Sequence, residues 1–199
     1  GSCDYEIRDV FVPETRSFGL LDMLTGQPQS GGAAYRLGLP GIVMAFHMGI
    51  PLGIARRALD EITTQSIGKR RGMLSSTALA DRGVFQSELG KAELELAAAR
   101  ALALAVTTRA WIGAQAGKVP DPALQAELRG AATYVTEVAQ RVTTMAFHAG
   151  GGGALFEANP LQRCFRDAHA AGQHFMVSTS SYQGFGQFRL GLPGADPML

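Results

Sequence analysis

The stretch HAGGGGALFEANPLQRCFRDAHAAGQH, residues 148–174, carries the reading of this 199-residue chain. Four glycines close one helical pattern, and a short hydrophobic link then runs to Pro160. Behind it, Arg166-Asp167 opens a segment that holds His169 and His174. Paired glycines let a backbone come close to a phosphate, because no Cβ blocks the approach and φ > 0 is open to them. The same glycines also make an ordinary helix stop, and both readings stand for Gly151 and Gly152.

Outward from there the pattern is helical. Pro40 fits a helix start, and Val43, Phe46, Ile50, Ile54, Leu59 and Ile62 follow as an apolar series up to Gly68, with a kink expected at Pro51. A second, alanine-rich helix is expected over about 81–117, offering Val84, Leu89, Leu96, Leu102 and Val106 to a core. A third is expected over about 121–149 and a fourth over about 160–183. Long helices with short links make an all-α, up-and-down four-helix bundle. Before them, residues 14–39 read as a linker with a short helix near 18–24. Residues 5–12 alternate like one strand, its phase slipping at Arg8-Asp9 as at a bulge. One strand cannot satisfy its own backbone, so this orphan should pair with something outside the sequence.

Composition narrows the partners. The 46% hydrophobic content supplies a core, and a net charge of +1 with scattered basic residues argues against nucleic acid. Lys69-Arg70-Arg71 is the single basic cluster, and its plain reading is a solvated helix end. Cys3 and Cys164 suit a reduced, cytoplasmic protein better than a disulfide scaffold. The opening GSCDYEIRDV reads as neither signal nor transit peptide, and no charge-free apolar run of membrane-spanning length is expected. No Glu-x-x-His, His-x-x-x-His or Cys-x-x-Cys pattern offers a metal site. No nucleophile elbow or Walker-type loop occurs either.

Three stretches carry a resemblance. DYEIRDVFVPE (residues 4–14) resembles the end of the middle β-domain of acyl-CoA dehydrogenase-like flavoproteins, and LGIARRALDEI (52–62) the first long helix of their C-terminal bundle. Residues 150–174 are similar to the closing segment of the type-2 C-terminal domain of that superfamily, in its flavin-dependent monooxygenase branch. The resemblance covers the chain and implies a C-terminal part of a larger protein. Residues 1–13 would be the last strand of a mostly absent β-domain, 14–39 a linker and 40–199 the bundle.

The resemblance also implies chemistry. Dehydrogenases of the superfamily need a carboxylate base, and the two positions for it fall on Phe175 and near Val43 or Met44, none of which can act as one. His174 matches the histidine that the monooxygenase branch places over the flavin ring. An imidazole suits the management of a proton during oxygen activation, so His174 is the candidate catalytic residue. Ala149, Phe175 and residues of the first helix are expected pocket walls. Lys69, His148, Gly151 and Gly152 are the expected cofactor contacts, Lys69 against a diphosphate and the loop against a flavin held mainly by a neighbouring subunit. His169 is expected to be structural or solvent-facing, Arg166 and Asp167 a cap and ion pair, and Cys164 buried and inert. The implied cofactors are reduced flavin (FMN or FAD) and O2. The implied partners are a separate flavin reductase, a small-molecule substrate and further copies in a homotetramer, with no membrane. The alternatives are an acyl-CoA dehydrogenase-like oxidoreductase and a non-catalytic helical oligomerisation piece.

Overall fold

The structure is a computed structural model that describes all residues except 1–2, 28–30, 71 and 73–75. Six α-helices follow in order: α1 (Leu20–Thr25), α2 (Gly38–Gly68), α3 (Gly83–Gln115), α4 (Pro122–Gly150), α5 (Pro160–Ala171) and α6 (Ser180–Leu190). The bundle stands as expected, with one change. The fourth helix is two, because the chain leaves the helix after Ala171 and turns through 172–179 before α6. Ser181 Oγ donates to Ser178 O there at 2.6 Å, and Ser178 Oγ accepts from Ser180 N at 3.2 Å. Serine and threonine offer the backbone this alternative to a helix.

The caps are legible in the sequence. Asp121 accepts from Leu124 N at 2.8 Å with Pro122 as the first helical residue, and Asn159 accepts from Leu161 N at 3.0 Å ahead of Pro160. Helix α2 runs through Pro51 as one helix and starts two residues before Pro40. Its buried face is Met44, His47, Met48, Pro51, Ala55, Leu59 and Ile62. Phe46 and Ile50, expected in the core, are 75% and 57% exposed, so the apolar stripe lies on a different face. Val84 is likewise exposed.

Helix α4 is the central element and packs on α2, α3, α5 and α6. Small residues let the neighbours approach: Ala131, Ala132, Ala139 and Ala146 are all buried along it. One cluster joins Met44, Met48 and Leu59 of α2 to Leu96, Val106, Val135, Val138 and Val142. A second gathers the far ends of α2 and α4 with Phe85 and Leu161. At the end of α4, a Cβ on Gly150 would lie 2.8 Å from both Ala154 Cβ and Leu161 Cδ1. The alanine cannot swing aside, so Gly150→Ala should cost about 1–2 kcal/mol in urea unfolding.

Residues 5–12 do not form the expected strand. They are irregular and exposed, with Asp9 at φ +51 where the alternation slips. A strand forms only against a partner, and among the described residues none pairs with it. A further correction concerns α2. Residues 33–68 include an 18-residue window of mean hydropathy 1.6, long and apolar enough to cross a membrane by length and composition. A third of that window is buried inside the bundle.

Candidate active site and cofactor cradle

His174 lies in the turn between α5 and α6, and one face of α4 holds that turn. Arg129, Thr133, Thr136 and Gln140 recur at helical spacing, so they share that face. Arg129 Nε donates to Met176 O at 3.1 Å, and an Arg129 Nη1 bond reaches the Leu199 backbone oxygen. Thr133 Oγ1 donates to Ser178 O and accepts from Ser178 N, each at 3.3 Å. A Cβ on Gly172 would collide with Gln140 Nε2, which explains the glycine there. Arg129, Thr133 and Thr136 are buried.

The sequence reading missed His47. It is 6% exposed, in the first third of α2, and its ring centroid is 5.2 Å from that of His174. Thr136 Oγ1 donates its hydrogen to Ala132 O at 2.7 Å, so it accepts from His47 Nε2 at 3.1 Å. His47 therefore carries its hydrogen on Nε2. The Met176 N–H donates to His174 Nδ1 at 3.3 Å, which leaves the hydrogen of the neutral His174 ring on Nε2 as well. Phe175 stacks on His174 at 5.0 Å and is itself 79% exposed. The one signal for His47 in the sequence is that it is the lone polar side chain in an uncharged run over 37–55.

Burial first, and charge on His174 second, hold the His47 imidazole below its ordinary value of 6.5. Unfolding restores that value, so between the two the unfolded chain binds more protons than the folded one. The stability tied to His47 is complete above about pH 6.5 and is lost as pH falls toward the folded value. The melting midpoint should therefore drop on acidification through that window. His47→Gln, which can still donate to Thr136, should flatten the slope. Equal slopes in the two proteins would contradict the assignment.

The expected cofactor contacts gather elsewhere. Lys69, just beyond α2, reaches the glycine loop: a Cβ on Gly153 would lie 3.5 Å from Lys69 Nζ, and one on Gly151 4.0 Å from its Cε. No ion pair engages Lys69 among the described residues. Gly151 has φ +56 and its N–H caps His148 O, so it is the helix stop. Gly152 has open space where a side chain would be. An ammonium over bare backbone fits an anion such as a diphosphate. Arg70 donates to Ser76 O at 3.0 Å, and Arg71 lies outside the described residues. His148 sits on the last turn of α4 and lines a cleft of about 1120 Å³ with Arg82, Arg141, Ala149 and His169.

The candidates thus fall into two places. His47 and Lys69 are 22 positions apart along α2 and its C-cap, about 33 Å at the helical rise. Ala149 belongs to the cleft and not to the His174 surroundings, contrary to expectation. His169 is half-buried, its Nε2 3.2 Å from Thr144 Oγ1 and its ring 4.4 Å from Phe165, and it also lines the cleft. Among the described residues Arg166 and Asp167 form neither cap nor ion pair: Asn159 is the cap, and adjacent helical residues point apart. Cys164 is buried, and burial raises its thiol. Val43 packs against the core and Met44 is inside it, so no base occupies either dehydrogenase position.

Comparison with known proteins places the fold. The chain is 32% identical to an indole-3-acetate monooxygenase of Pseudomonas putida over 98% of its length and 49% of that protein's. It is 30% identical to a pigment production hydroxylase of Rhodococcus sp. (strain ATCC 21145), covering 100% of this chain and 52% of the relative. It spans about half the length of the curated relatives it matches. XiaF from Streptomyces sp., solved with FADH2 and glycerol, shares the fold with a TM-score of 0.83 at 23% identity, over 97% of this chain and 49% of that one. The family description "Acyl-CoA dehydrogenase, C-terminal domain" matches residues 45–179, a span from α2 to the turn that holds both histidines, Lys69 and the glycine loop. The chain belongs to the acyl-CoA dehydrogenase C-terminal domain family.

Proposed function

We propose that this chain is part of a flavin-dependent monooxygenase that hydroxylates an aromatic or related small molecule. The observation that carries it is His174, an imidazole locked in one tautomer at a place where the dehydrogenase positions hold Phe175, Val43 and Met44. Reduced flavin, FMN or FAD, supplies two electrons to O2, one oxygen atom entering the substrate and the other leaving as water. His174 would donate a proton through Nε2 and take one back as the product forms. Lys69 and the loop at Gly152 and Gly153 hold the diphosphate end, with His148 beside them. Since His174 and that cradle lie about 33 Å apart along α2, one flavin does not touch both in one chain. The site is composite, each flavin meeting His174 of one copy and the cradle of another.

A homotetramer supplies that second copy. Exposed Phe46, Ile50, Leu94, Leu104 and Ile112 on α2 and α3 are apolar surface for it to cover. Residues 5–12 pair with a strand of a preceding β-domain, and residues 14–39 link it to the bundle. The reduced flavin arrives from a separate reductase, and two unpaired cysteines suit the cytoplasm.

The test supplies reduced flavin from a reductase with O2 and indole-3-acetate or simple phenols. Hydroxylated product that needs both flavin and O2 supports the reading. Bleaching of oxidised flavin by an acyl-CoA without oxygen overturns it in favour of dehydrogenation. A tetramer that binds neither FMN nor FAD in equilibrium dialysis overturns it in favour of a purely structural assembly. Lys69→Met should weaken flavin binding about tenfold in the same dialysis, the loss of one charged contact.

A further inference from the structure

We infer that His47 is the positioning residue of His174, the two imidazoles forming one unit that holds a single proton while His47 stays neutral. The inference rests on the monooxygenase reading for its purpose, but its evidence is geometric. The rings are 5.2 Å apart and tilted 45°. His47 is buried and hydrogen-bonded through Nε2 to Thr136, whereas His174 is half-buried in a turn that opens toward Phe175. Charge on the inner ring loses more solvation than charge on the outer one, and two charged rings so close repel. The proton therefore belongs to His174, and His47 backs it as a flat neutral ring.

Among the described residues no other charged group takes over that part. Around His47 on α2 stand Met44, Met48 and Pro51, all uncharged. From α4 come Thr136 and, two turns earlier, Arg129, whose guanidinium is spent on Met176 O and Leu199 O. Glu137 accepts from the Tyr182 hydroxyl of α6 at 2.8 Å. In the turn, Ser178 and Met176 bring no charge. No carboxylate bonds either ring among the described residues, so nothing stabilises a second positive charge at the site.

The chain has four histidines, so ring-proton NMR of histidine-labelled protein resolves each one. In the unchanged protein the His47 and His174 signals should each inflect at the other's midpoint, the mark of a coupled pair. In His174→Asn the His47 midpoint should move up toward the ordinary imidazole range, with His148 and His169 unmoved. In Thr136→Val the nitrogen shifts should show His47 losing its fixed Nε2–H tautomer. A His47 midpoint indifferent to His174→Asn, or the absence of mutual inflections in the unchanged protein, overturns the inference. Product assays separate it from the reading beneath. Unmoved His47 with hydroxylation lost in His174→Asn overturns the pair alone. A shifted His47 with hydroxylation intact leaves the coupling standing and overturns the assignment of His174 to the chemistry.

Discussion

His174→Asn should lower the rate of product formation by about 10²–10⁴-fold, the usual worth of one positioned acid–base group, while flavin still binds. The two effects should separate because the proposed cradle at Lys69 and Gly153 lies at the other end of α2. Asparagine keeps a side-chain oxygen that can take the Met176 N–H, so the turn should survive and the loss should fall on kcat. On the proposed reading the reduced flavin would pass its electrons to O2 without oxygen reaching substrate, and hydrogen peroxide should appear in place of hydroxylated product. The measurement pairs product yield with oxygen consumption. Retained coupling between the two would remove His174 from the proton path. His174→Gln, with a longer amide, distinguishes shape from titration: if only the geometry mattered, it would recover much of the yield.

The sequence made the bundle legible and left the site half-read. Asp121-Pro122 and Asn159-Pro160 announced two helix starts by side-chain chemistry that acts within three residues, and both are where they were expected. The face of α2 was misread because α2 is apolar nearly all round: Phe46 and Ile50 are as hydrophobic as Met44 and Met48, and only packing decides which pair goes inside. The break after Ala171 depends on contacts from α4, about forty residues earlier in the chain, which no local pattern displays. His47 was invisible for the same reason. Its meaning comes from a ring 127 positions away, set beside it by the up-and-down course of α2, α4 and α5. The glycine loop was readable as a loop, but the division of labour within it was not: Gly151 stops the helix, Gly153 faces Lys69, and Gly152 borders open space.

Arg129→Met should destabilise the chain by about 3 kcal/mol. A buried arginine without a buried carboxylate partner is costly to solvate, and burial lowers its pKa from the ordinary arginine value, with Asp196 opposing. Relief of that desolvation favours the methionine, which fills a similar volume. Against it stand two backbone oxygens, of Met176 and Leu199, that lose a charged donor. The buried Met176 oxygen left unmade costs about 1–3 kcal/mol and the part-buried Leu199 oxygen adds to it, so the loss outweighs the relief. Lysine should not rescue the loss, since one ammonium on a flexible stem cannot reproduce a planar fork that serves both oxygens. Urea unfolding reads the stability, and the direction of the Arg129→Lys result is the sharper test: full rescue would mean that charge, and not the fork, holds the turn. Because Met176 N–H also holds His174 Nδ1, loosening Met176 should disturb the His174 tautomer before the bundle melts. In Arg129→Met the ring-nitrogen signals of His174 should therefore move under conditions where the helical signal is unchanged, and His148, on the far end of α4, should not respond.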